Sequence, residues 1–130
     1  MPEINIFNKN NIFQKFEVLK TNRNKRYRYQ EFLVEGVRSL NEAVKNHWNI
    51  HSFLYNKNNL SDWAKDMIHQ VPTKTNYCLT AELMQELSGK QDTSELMAVI
   101  GMREHQLADI PLSDNPLIVL FDRPSNLGNL

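Results

Sequence analysis

At 130 residues the chain is long enough for one domain with a real core and too short for two comfortable ones, and its composition, 41% hydrophobic and 23% charged, is ordinary for a soluble globular protein. Fifteen basic and fifteen acidic residues cancel, so net charge alone selects no partner. No apolar run approaches the roughly 20 residues needed to cross a bilayer, the start MPEINIFNKNN lacks the apolar core of a secretory signal, and the single Cys78 excludes an intrachain disulfide and a cysteine-built zinc site, so the chain reads as cytoplasmic.

After a polar start, Ile12, Phe13, Phe16 and Leu19 recur at helical spacing and predict a helix over about residues 10–21. The stretch TNRNKRYRYQE is dense in charge and carries no apolar stripe. EFLVEG is a short strand ended by Gly36, and VRSLNEAVKNHWN returns to helical period. IHSFLYN (50–56) is a second strand; Ser61 then caps a helix, DWAKDMIHQV, which Pro72 follows. TNYCLT is a third strand, Thr80 caps AELMQELS, and Gly89 stops that helix. KQDTSE is a loop before a fourth strand, ELMAVIGMRE. Residues 104–116 hold two prolines and few periodic apolar positions, as a linker does, and LIVLFD is a fifth strand, apolar almost throughout. Helices alternating with apolar strands predict an α/β layered fold, a small sheet with helices on both sides over about residues 10–103. The strand after the linker opens a separate unit.

Lys20, Arg23, Lys25, Arg26 and Arg28 put five of the fifteen basic residues into nine positions, interleaved with Tyr27 and Tyr29. Arginine offers a planar fork of donors matched to phosphate oxygens, and tyrosine stacks on unpaired bases, so RNA contact is the functional reading and a solvated basic segment the plain one. His47 and His51 have the separation used on zinc-binding helices, but they straddle a helix–strand junction and bring no carboxylate, which favours structural roles. Cys78, in the apolar YCL, is a buried thiol rather than a nucleophile. Glu35 lacks a neighbouring acid, base or nucleophile; pairing with Arg38 or orienting RNA is preferred over catalysis. Gly89 and Lys90 do not complete a phosphate-loop pattern, and the loop through Asp92, Thr93 and Ser94 leads plainly into a strand.

Together these residues resemble one family. KRYRYQEFLVEGVRSLNEAV, with Phe32, Val34, Glu35, Gly36 and Arg38 carrying F-x-V-E-G-x-R after a basic stretch, looks like the opening of the substrate-binding domain of SpoU/TrmH-type RNA ribose 2′-O-methyltransferases. LTAELMQELSGKQDTSELMAVI is similar to the close of that domain, and PLIVLFDRPSNLGNL resembles the first motif of the family's catalytic domain. Counting from Asp122, the motif asparagine falls on Asn129; the alternative register puts it on Asn126. The loop departs from the family's Leu-Asp-Gly in having Arg123 and Pro124.

The resemblance implies an RNA substrate-binding domain over residues 1–103, a three-layer α/β/α sandwich like that of ribosomal and kink-turn-binding proteins. A linker at 104–116 would follow, then the first strand and motif loop (117–130) of a truncated SPOUT domain, a knotted α/β unit. It further implies a parent enzyme that methylates a ribose 2′-hydroxyl of rRNA or tRNA with S-adenosylmethionine and pairs as a homodimer through the missing domain. Asn129 would be the one catalytic residue in hand, the activating arginine and all cofactor contacts lying beyond the chain, so the 130 residues alone are expected to be inactive. RNA would be held by Lys20, Arg23, Lys25, Arg26, Tyr27, Arg28, Glu35 and Arg38. A stand-alone RNA-binding module of ribosomal-protein type is the alternative.

Overall fold

Phe13, Phe16 and Leu19, set at helical spacing, become the buried face of a helix that Asn10 starts by accepting a hydrogen bond from the Phe13 amide at 2.9 Å. The same logic repeats along the chain. In the computed structural model, which describes residues 2–89 and 92–103, the elements run β1 (Glu3–Ile6), α1 (Asn11–Thr21), α2 (Arg23–Tyr29), β2 (Glu31–Glu35), α3 (Val37–Lys45), β3 (Ile50–Tyr55), a 3-10 turn (Lys57–Asn59), α4 (Asp62–Gln70), β4 (Asn76–Leu79), α5 (Ala81–Ser88) and β5 (Leu96–Gly101). Ser61 caps α4 and Thr80 caps α5 through side-chain oxygens, as their residue types and positions predict. Gly89 ends α5 in the left-handed conformation at φ +64°.

The five strands form one mixed sheet in the order β1-β4-β3-β5-β2. β1, β4 and β3 are parallel neighbours, whereas β5 runs antiparallel to both β3 and β2. β5 lies inside the sheet, is buried along its whole length, and alternates strictly. Met97 and Val99 meet α1 and α5 on one face; Leu96, Ala98 and Ile100 meet α3 and α4 on the other. Two helix layers around one sheet make the three-layer α/β/α sandwich expected from the alternation of elements.

Two expectations change. The sheet begins at Glu3, not after residue 10: EINI is an edge strand in which Ile6 alone is buried, so it shows no alternating pattern to read. The basic stretch is helical over Arg23–Tyr29 although it buries no residue; Asn22 starts it by accepting from the Lys25 amide, and Gln30 closes it in the left-handed conformation. The predicted strand LIVLFD (117–122), the linker 104–116, Asn126 and Asn129 lie outside the described residues.

Candidate nucleic-acid interface

A helix that buries nothing owes its place to its ends. α2 is held by its caps and by two ring contacts, one to α1 and one within the helix. Lys15 of α1 lies over the Tyr29 ring at 4.9 Å, and Arg23 lies over Tyr27 at 5.7 Å. The result displays Arg23, Arg28 and the two tyrosines to solvent, Tyr27 at 54% and Tyr29 at 45% exposure. Arg26 is half-buried, with Nε shielded and lacking a hydrogen-bond partner. Guanidinium forks beside open aromatic faces can take phosphate oxygens and unpaired bases together. Lys20 is placed differently: its ammonium donates to the carbonyls of Leu87 and Ser88, the last residues of α5. There it satisfies helix-end acceptors and complements the dipole.

Beneath α2 a carboxylate ties three elements together. Glu31 of β2 takes Lys15 on Oε1 at 2.7 Å and the Nδ1–H of His51 on Oε2 at 2.6 Å. Burial works to raise this carboxyl, but Lys15 and His51 outweigh it and hold it below its ordinary value. His51 sits where the β3–β5 register shifts between Ile50 and Ser52, and its ring lies over Gly101, where a Cβ would fall 2.6 Å from Nε2. His47, in contrast, is exposed in the turn after α3 at φ +57°. The two histidines therefore do not share a face.

The other end of β2 is a second polar surface. Glu35 is half-buried at the strand end, Gly36 turns the chain at φ +97°, and Arg38 is exposed in the first turn of α3. A Cβ on Gly36 would stand 4.0 Å from Ser94 Oγ, and the Gly36 amide donates to the Leu96 carbonyl at 3.4 Å, so the 92–95 loop lies against this turn. Glu95 in turn accepts from the Ser61 amide and hydroxyl. A cavity of about 330 Å³ opens at this end among Asn56, Asn59, Gln85, Thr93, Ser94 and Glu95. Its amides and hydroxyls supply the mixed donors and acceptors that a base edge requires.

The predicted RNA-binding set thus falls into two groups at opposite ends of β2, separated by about 13 Å for a four-residue rise. Arg23, Lys25, Arg26, Tyr27 and Arg28 form one, Glu35 and Arg38 the other, with Lys20 turned to α5. Asn56, Asn59 and Gln85 escaped the sequence reading because isolated amides carry no spacing signal; folding alone assembles them. Cys78 is buried, and burial first, then Glu3, pushes its thiol up to about 11, which leaves it unreactive.

The SpoU L30e-like domain family matches residues 10–99. This chain belongs to the SpoU family. A 23S rRNA (uridine(2479)-2′-O)-methyltransferase of Streptomyces viridochromogenes is 39% identical to it over 127 residues, which are 96% of this chain and 44% of the relative. The chain therefore spans less than half the length of that relative. The SpoU methyltransferase AviRb of the same organism, solved with AdoMet, superposes with a TM-score of 0.80 at 39% identity, covering 92% of this chain and 46% of that one. An RNA 2′-O ribose methyltransferase, 19% identical, has the same fold at a TM-score of 0.72 over 85% of this chain and 42% of its own. This SpoU chain also has no helix, among the described residues, long and apolar enough to cross a membrane.

A cavity of about 580 Å³ between β1 and α4 has the room for AdoMet, but its carboxylate, Glu3, is taken by Lys57 and Tyr55, and Lys65 stands in the same space, so this cavity does not suit a sulfonium cation.

Proposed function

We propose that this chain is the RNA-binding arm of an S-adenosylmethionine-dependent ribose 2′-O-methyltransferase of the SpoU family, acting on rRNA or tRNA in the cytoplasm. The observation that carries the reading is the relationship to the S. viridochromogenes rRNA methyltransferase along 96% of this chain. The exposed basic helix α2 supports it, since Arg23, Arg26 and Arg28 beside Tyr27 suit phosphate and base contacts. Methyl transfer belongs to the parent protein, which would pair as a homodimer through residues outside this chain. Asn129 stays assigned to the first motif of that catalytic part. The 130 residues alone are not expected to transfer a methyl group. Glu35 and Arg38 orient RNA at the far end of β2.

The test is RNA affinity as a function of salt. Replacing Arg23, Arg26 and Arg28 together by alanine weakens binding and lowers the slope of log affinity against log salt by up to roughly 0.7 to 0.9 for each phosphate no longer neutralised. A slope equal to that of the unaltered chain would remove α2 from the interface. Methyl transfer from S-adenosylmethionine to rRNA or tRNA by residues 1–130 alone would overturn the assignment of catalysis elsewhere.

A further inference from the structure

Phe7 follows β1 and is the most exposed large apolar side chain of the described residues, at 76%. It also lies outside the 10–99 span that the family shares. One open phenyl ring is unremarkable by itself; its surroundings are not. Beside it is a cavity of about 230 Å³ rimmed by Asn5, Asn56, Lys57, Asn58 and Thr80. Asn56 braces this rim from below: its Oδ1 accepts from the Asn58 amide at 2.9 Å and its Nδ2 donates to the Leu79 carbonyl at 3.1 Å. The side chains of Asn5 and Asn58 remain on the exposed side, each with a donor and an acceptor.

Past Lys57 the surface continues into the groove of about 580 Å³ between β1 and α4, where Lys65 and His69 stand one helical turn apart. The carboxylate in that groove, Glu3, is already taken by the Lys57 ammonium and the Tyr55 hydroxyl, so it does not cancel Lys65. An aromatic face, free amides at its edge and a cationic groove leading away are what an unpaired nucleotide needs: a stacking surface, an edge reader and a place for the adjoining phosphate. A protein partner would call for a contiguous apolar patch, whereas Phe7 is set among amides.

We propose that Phe7, Asn5 and Asn58 hold one unpaired nucleobase of the RNA substrate, stacked on the phenyl ring, with its neighbouring phosphate directed toward Lys65. The site rests on the RNA-binding reading above and extends it to a surface away from α2.

The experiment uses the 130-residue chain with two labelled probes, a single-stranded 12-nucleotide oligouridylate and a fully paired RNA duplex of equal length. Phe7→Ala and Phe7→Leu are expected to lose at least about fivefold in affinity for the single strand, while Phe7→Trp restores it. Duplex affinity and the salt slope stay as in the unaltered chain, and 5-iodouridine in the oligomer crosslinks to the peptide containing Phe7. Because the ring is exposed, circular dichroism of all three variants should match the original. Single-strand binding untouched by Phe7→Ala and Phe7→Leu, or an equal loss on the duplex, overturns the site and leaves α2 standing. Failure of the unaltered chain to bind either probe at low salt overturns the RNA reading and this inference with it.

Discussion

Glu31 shows how much one carboxylate can organise. It joins α1 through Lys15, β3 through His51 and its own strand β2, in a pocket only partly open to water. Since its folded value is held below the ordinary carboxylate range, the ion pair stabilises the fold above that range, and the stabilisation drains away as pH falls through the lowered value. Glu31→Gln should therefore cost about 1–2 kcal/mol at pH 7, and the difference from the parent should shrink in acid. Urea unfolding at pH 7 and below pH 4 measures both; a difference constant with pH would mean that the charge contributes nothing. Gly36 makes a second residue-scale case. Its φ of +97° is open to glycine and strained for any side chain. Gly36→Ala should destabilise the fold by about 1–3 kcal/mol, read as a lowered Tm, with the Glu35–Arg38 turn disturbed as well.

Among the elements, α2 depends most on local chemistry. Seven residues are too few to be helical alone, and no buried side chain anchors these. Asn22 serves both helices, closing α1 with its backbone amide and opening α2 with its side chain. Asn22→Ala should cost about 1 kcal/mol and reduce RNA affinity far more than its small effect on global stability suggests. Equal RNA binding by the two proteins would show that α2 need not be helical to act. The same helix marks where the sequence stops being legible. α1, α3, α4 and α5 announce themselves through apolar spacing and the caps Ser61 and Thr80, and β5 through an unbroken apolar run. α2 has no apolar stripe because it buries no residue, and β1 has no alternation because it is an edge. The basic residues of the interface were visible as a cluster; that Lys20 would turn toward the carbonyls of α5 was not, since those acceptors lie 67 and 68 residues away. The amide-lined surfaces around Asn56 and Phe7 were equally hidden, being assembled from separate loops.

Across the whole molecule the sandwich separates two polar ends by the length of its strands. α2 lies at one end; the Gly36 turn, the 92–95 loop and the Phe7 rim lie at the other. An RNA engaging both must reach along the edge strand β2 or around the sheet, so footprints longer than one loop are expected. The rigidity that fixes this spacing is concentrated in β5, buried throughout and paired on both sides, with β1 and β2 at the margins. Amide hydrogen exchange should therefore be slowest for Leu96–Ile100 and faster by orders of magnitude in Glu3–Ile6. Comparable protection of the two strands would contradict that gradient.

β5 also sets a timetable. β2 is made early and, among the described strands, pairs only with β5, the last of them to be synthesised. Until Leu96–Gly101 leaves the ribosome, β2 lacks its described partner strand and the nascent chain holds Phe32, Leu33 and Val34 without a completed sheet. The final strand must then enter between two others, a closure over more than sixty residues from β2, and such long-range pairing is slow. Completion of this sheet is accordingly late: a ribosome stalled before residue 96 carries a chain whose apolar β2 is still without β5, a natural client for chaperones.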